Sequence, residues 1–408
     1  MTYYEIKKVF AKTSSKLSLA VLCIVLIVVC NFATGEAQYV NENGDGESGR
    51  AAIAKLREQK QQWEGPLTSE KLEKVIRQHR KINASPEAKS DDVQELDKAY
   101  AKTQGYGDIR DLLSCAFGDF IEFDYYAADS LKPKDAEKFY DSRISSLKDW
   151  LDGTGSARFT EEEKAFLVSQ YKELKTPLDY KYADGWEQVF YSSPMLLIFT
   201  IFIIGFLLSG IFSCESQLKT DSVFYSSYHG RRKAVLSKLK AALLIASVIY
   251  WVMVLLYTGF VLWFFGAGGS DCMVQSNLDG WKIFYNITIG QEYLLIVLGG
   301  YVGCLFFSAL LMLISAKTKS PVLAAAVPFI LFLIPTVLDS VDSDFLKKVL
   351  GIMPHQLMQI SRTIRNLDLY SAGEKVMGSI PILFVLYLAL FLVIGLVLYQ
   401  SYRRAEVK

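Results

Sequence analysis

The chain has 408 residues, 51% of them hydrophobic and 21% charged, with a mean hydropathy of +0.22. It is too apolar for an ordinary soluble protein and too charged to lie wholly within a membrane, so several spans plus a sizeable soluble part are expected. A net charge of +1 gives no global field for nucleic acid, and the basic residues matter only where they cluster.

Residues 1–16 put Tyr3, Ile6 and Phe10 on one helical face, with Lys8 and Lys12 away from it. That spacing suits a helix lying on a membrane surface, although a basic leader has the same look. The first apolar run, 17–33, is expected as a retained span, because the residues ahead of Cys30 are large and branched, unlike a lipidation signal. Gly44, Gly46 and Gly49 then extend an acidic linker.

A soluble insert follows to residue 193. Helices are expected over 51–62, 69–82, 91–103, 109–126, 135–151 and 161–174. Leu112, Leu113, Phe117 and Phe120 recur at helical spacing and mark 109–126 as the insert's core helix. Thr160 followed by Glu163 reads as a capping box opening the last of these helices.

Five more apolar runs, 194–212, 240–265, 292–315, 321–338 and 380–399, are each long enough for a hydrocarbon layer of about 30 Å. Lys and Arg gather before the first span, in 213–239, at Lys317 and Lys319, and at the C-terminus, which directs these segments and both termini to the cytoplasm. The segments 34–193 and 339–379 then fall outside, the second with a broken helical look around Gly351 and Pro354. Cys115 and Cys272 would share that side, where a disulfide is chemically permitted, but spacing alone does not establish one. The expected fold is an all-α polytopic membrane protein of six transmembrane helices, with a large, mainly helical extracellular insert between the first and second. Its parts are a surface helix and first span (1–33), the extracellular domain (34–193) and the remaining transmembrane domain (194–408).

Gly299 and Gly303 lie four apart in the fourth span, a spacing that lets helices approach closely, within one subunit or between two. Pro321, Pro328 and Pro335 recur every seven residues in the fifth, which should bend it. No acidic or basic residue is expected deep in a span, which disfavours a proton-coupled pump.

The most patterned stretch is the loop 213–239, with Glu215, then Ser226 and Ser227, then Gly230, Arg231, Arg232 and Lys233, then Lys238 as the next span begins. Basic charge alone would only set orientation. The full pattern resembles the coupling loop of type-2 ATP-binding-cassette exporter permeases, most closely the Gram-positive kind with an enlarged extracellular domain. Lys219-Thr220 and Tyr228 depart from the Gly-Thr and Pro of many members. The resemblance implies an elbow helix at the N-terminus and a permease subunit that moves a hydrophobic or peptide-like cargo out of the cell. Peptide toxin, antimicrobial peptide and lipid-linked molecule all fit a mostly apolar path. It further implies a cytoplasmic ATPase dimer that binds ATP and magnesium, a second permease subunit (the same or a related chain), surrounding membrane lipid, and a Gram-positive cell membrane. Glu215, Ser226, Ser227, Gly230, Arg231, Arg232 and Lys233 would touch the ATPase or hold the loop against it.

The chain carries no GxxxxGK[ST], HExxH or GxSxG, so neither ATP hydrolysis nor a metal or serine hydrolase centre is expected on it. The competing class is a membrane receptor or sensor with an extracellular ligand-binding domain. Its mark would be a sizeable cytoplasmic signalling domain, which the expected topology leaves no room for. A membrane-embedded enzyme would need a recognisable polar cluster near the interface.

Overall fold

The computed structural model describes residues 1–35, 37–218, 233–338, 343–373 and 375–403. A short helix, α1 (Thr2–Phe10), turns into the apolar α2 (Thr13–Gly35). The hairpin of β1 (Gln38–Val40) and β2 (Gly46–Ser48) opens the outer part and is followed by α3 (Arg50–Gln61), β3 (Gly65–Pro66), α4 (Ser69–Asn83), α5 (Val93–Ala101) and α6 (Gly107–Phe117). Then come α7 (Phe139–Asp152), α8 (Glu161–Lys172) and β4 (Asp179–Tyr180), which pairs with β3. Local chemistry sets several boundaries. Thr68 caps α4 by accepting from the Lys71 amide, and Thr160 and Glu163 form the expected reciprocal box on α8.

The long helices follow: α9 (Asp184–Leu208), the one-turn α10 (Cys214–Gln217), α11 (Lys233–Phe265), α12 (Ile289–Thr318) and α13 (Pro321–Leu338). After these, α14 (Asp344–Leu350), a 3₁₀ turn at Pro354–Met358 and α15 (Ile360–Thr363) form the broken segment read from Gly351 and Pro354. The antiparallel hairpin β5 (Leu369–Ala372) and β6 (Lys375–Gly378) leads into α16 (Ser379–Arg403). The described chain is mostly helical, and α2, α9, α11, α12 and α16 are long and apolar enough to cross a membrane, with α13 a shorter apolar helix. This is the make-up of a multi-pass membrane protein.

Several boundaries differ from the expected ones. α9 begins at Asp184 and runs through Pro194, where a span start was expected. A single proline removes one backbone donor and is tolerated in helices packed by neighbours. α11 begins at Lys233 and α12 at Ile289, the latter set by a Thr288–Gln291 capping box. The insert's core helix stops at Phe117 because Gly118 leaves the helical conformation, so Phe120 stacks instead on Trp150 at 4.9 Å between ring centres. The hairpins were not foreseen, though the outer part remains mainly helical.

The outer part also does not close its cores by itself. Its first cluster is built around Leu72, Val75, Leu112, Leu113 and Phe139, and is completed by Trp281 from the α11–α12 connection. Its second, around Leu147, Leu151, Leu167 and Tyr171, takes Phe284 from that connection and Leu369 from β5. Arg143, 3% exposed, pins the join by donating to the Trp281 and Ile283 carbonyls while lying 3.8 Å from the Tyr171 ring centre. Lys348–Glu163 at 3.0 Å and Arg158–Asp368 at 3.1 Å tie the last connection to α8 and its approach. Three separate stretches of chain thus make one structure at a single end of the bundle. All six cysteines are free, Cys115 and Cys272 among them.

Gly299 and Gly303 are filled from within the same chain. A Cβ added at Gly299 would overlap Ile360, and one at Gly303 would overlap the end of the Met358 side chain. The small-residue face of α12 therefore seats the 3₁₀ turn and α15. Gly303→Leu is expected to cost about 1–3 kcal/mol or more through overpacking. A lowered melting temperature with unchanged insertion into membranes would bear this out; an unchanged one would mean the turn moves aside freely.

Candidate functional site

At the bundle end opposite the outer part, α9 gives way at Ser209 to a tight turn leading into α10, where Glu215 sits 7% exposed. Its Oε2 accepts from Lys238 Nζ at 2.5 Å and its Oε1 from Lys8 Nζ at 2.6 Å. Lys238, in the second turn of α11, is fully buried. It also donates to the Ile211 carbonyl at 2.7 Å and lies 5.5 Å from the Phe212 ring centre. The hydroxyl of Ser315, near the end of α12, donates to the Ser209 carbonyl at 2.5 Å. The two ends of the loop are thus joined to each other, to α1 and to α12.

Electrostatics explain why charge survives here. Burial pushes the Glu215 carboxyl up, but Lys238 and Lys8 outweigh it and hold the group below the usual glutamate value. Burial likewise lowers Lys8, and the Glu215 carboxylate more than restores it, leaving it above the ordinary lysine value. One carboxylate shared between two ammonium groups is a mechanical link with a single hub.

Of the residues singled out in sequence, Glu215 is that hub, and Lys233 opens α11 with its side chain exposed. Ser226, Ser227, Gly230, Arg231 and Arg232 lie outside the described residues. Gly299 and Gly303 pack the broken segment, and Pro328 and Pro335 lie inside α13, so none of the four belongs to this link. In the sequence Lys8 is an orienting charge on the polar face of the N-terminal helix. No local signal connects it to Glu215 and Lys238; only the fold does.

A second buried ionic group was not foreseen. Lys60 of α3 donates to Asp108 of α6 at 2.9 Å and to both oxygens of Asp184, the first residue of α9, at 2.8 and 2.9 Å. The Tyr180 hydroxyl donates to Asp108 at 2.6 Å, and the Tyr182 ring lies 5.9 Å from the ammonium. Burial opposes the Lys60 charge, but Asp108 and Asp184 prevail and hold the amine well above its ordinary value. Burial and the neighbouring Asp108 together push Tyr180 well up. This group fastens the outer helices to the first turn of α9. Among the described residues, no set of side chains has the arrangement of a metal centre.

Compared with protein-family models, curated proteins and solved structures, the chain matches none.

Proposed function

We propose that this chain is the permease subunit of an ATP-driven exporter, with six spans including α13. In this reading both termini and the 213–239 loop face the cytoplasm, and the outer part faces outward. The observation that carries the reading is the shared carboxylate of Glu215, which locks together both ends of the loop and the surface helix α1. A loop serving only as a connector has no need of a buried ion pair at its mouth, since such pairs gain little stability over apolar packing. A loop that must pass force from a bound ATPase to α9, α11 and α2 needs a rigid base. The resemblance of the loop sequence to coupling loops of type-2 permeases supplies the partner: a cytoplasmic ATPase pair carrying ATP and magnesium, acting on two permease subunits. The cargo is a hydrophobic or peptide-like molecule.

The test is purification of the intact chain from its native membrane under mild extraction, followed by identification of co-purifying proteins and an ATP hydrolysis assay. An ATPase is expected to accompany the chain and to be lost or uncoupled by Arg231→Ala with Arg232→Ala. Recovery of the chain with no ATPase would favour the receptor reading instead.

A further inference from the structure

We infer that a phospholipid with an anionic headgroup docks where α3 meets the outer end of α11, its phosphate held by Arg50 and Arg57. α3 rests on the bundle through Ile53, which is buried in the same core cluster as the long helices. Arg50, Ala54 and Arg57 share another face of α3, at i, i+4 and i+7. The Arg50 guanidinium lies 4.3 Å from the ring centre of Trp263, in the last turn of α11. Arg57 lies against Gly266, where an added Cβ would come within 2.8 Å of its Nη1. Trp263 is 59% exposed, and behind it Phe260, Leu256, Val252, Val248 and Leu244 form an exposed apolar ridge along the helix. An acyl chain laid on that ridge ends beneath two guanidinium groups, beside a tryptophan of the kind that marks the polar boundary of a bilayer.

Charge selects the occupant. Neither arginine has an ion pair or a hydrogen bond among the described residues, and the carboxylates of the same region are engaged elsewhere, Glu47 with Lys55 and Asp184 with Lys60. Contact with the Trp263 ring uses none of the five N–H donors of Arg50. These stay available to phosphate oxygens in the two-pronged geometry that a guanidinium favours. Basic residues at a membrane surface attract anionic lipids. A phosphate free in solution would meet the same charges but leave the ridge on α11 uncovered, so the lipid makes the larger contact. The inference needs α11 to cross a bilayer but needs no ATPase. Its test reads lipid binding, so it stands or falls apart from the exporter reading.

The intact chain in neutral detergent would be titrated with phosphatidylglycerol, with phosphatidylcholine of equal chain length, and with inorganic phosphate while its melting temperature is followed. A ligand that binds the folded chain raises that temperature with its concentration, which gives the affinity. Phosphatidylglycerol is expected to stabilise the chain more than phosphatidylcholine, and inorganic phosphate to have no such effect. Affinity for phosphatidylglycerol should fall at least about tenfold in Arg50→Gln with Arg57→Gln, the weight of two arginines at an anionic surface, and should weaken with added salt. It should hold in Lys132→Gln with Lys134→Gln, which removes the same charge from exposed positions elsewhere on the outer part. The lipid-free melting temperature separates a lost site from a lost fold; should the double arginine variant unfold early, Arg50→Gln alone, at the exposed position, carries the test. Equal stabilisation by the two lipids, an equal effect of inorganic phosphate, or a phosphatidylglycerol effect that survives the arginine substitutions or is lost equally in the lysine pair would each overturn the inference.

Discussion

Glu215→Ala is expected to lower the stability of the intact chain by about 3–5 kcal/mol, because it strands the ammonium of Lys238 in a fully buried position. Lys238→Ala should cost less, because the carboxylate it leaves behind is still paired with Lys8 at 2.6 Å. The two losses remove the same ion pair, so they should not add. Glu215→Leu combined with Lys238→Met removes both charges and is expected to recover most of the stability while disconnecting the loop's two ends. Lys8→Ala should cost no more than about 1 kcal/mol, since its side chain is 38% exposed and the interaction is screened. Thermal unfolding of the four variants in one detergent gives this order. If the double substitution is as damaged as the singles, side-chain packing rather than the ion pair holds the base of the loop.

The same group sets a direction for pH. Glu215 is held below the ordinary glutamate value in the fold, so its contribution is fully present above the unfolded value and is lost as pH falls through the folded one. Lys8 is held above the ordinary lysine value, so its contribution is fully present below the unfolded value and is lost as pH rises through the folded one. The link is therefore intact through the neutral range and loosens in acid. Tethering of α1, followed by protease cleavage near the N-terminus, should decline as the medium is acidified, and the Glu215→Ala chain should show no such decline.

Hydropathy made the long helices legible, because a run of apolar residues has few other fates in a chain this long. Capping chemistry was equally readable: Thr160 and Glu163 open α8 where their spacing put them. Pro354, which has no backbone donor, opens the 3₁₀ turn that interrupts the segment before the last helix. What could not be read was partnership across long separations. Trp281, Phe284 and Leu369 look like ordinary loop and hairpin residues in sequence, yet they complete cores begun more than a domain away. The glycines of α12 gave the opposite difficulty. Their spacing declared a close approach but not whose, and the answer came from Met358 and Ile360, which carry no pattern of their own. Charges behaved likewise, since Lys8 and Lys60 each look like one surface lysine among many until the fold sets them beside a carboxylate.

Lys60→Met carries the second large effect. Lys60 is 8% exposed and is the one ammonium shared by Asp108 and Asp184. Without it two carboxylates remain close together in a buried site, and removal of a partner from such a group costs about 3–5 kcal/mol. In the unaltered chain the Lys60 amine is held well above its ordinary value, so its contribution is fully present below the unfolded lysine value and is lost only as pH rises through the folded one. The Lys60→Met chain should behave in the opposite sense near neutrality. Protonation relieves the repulsion between its unshared carboxylates, so its deficit against the unaltered chain should shrink as the medium is acidified. Adding Asp184→Asn to Lys60→Met removes one of the stranded carboxylates and should restore part of the loss at neutral pH. The readout that locates the effect is amide exchange in the first turns of α9: these should open in Lys60→Met while the loop end around Glu215 stays protected. Opening at both ends together would mean that the outer domain and the Glu215 end of the bundle unfold as one unit. Selective opening at α9 would mean that the Lys60 group is a separate joint, through which the outer domain is fastened to the bundle.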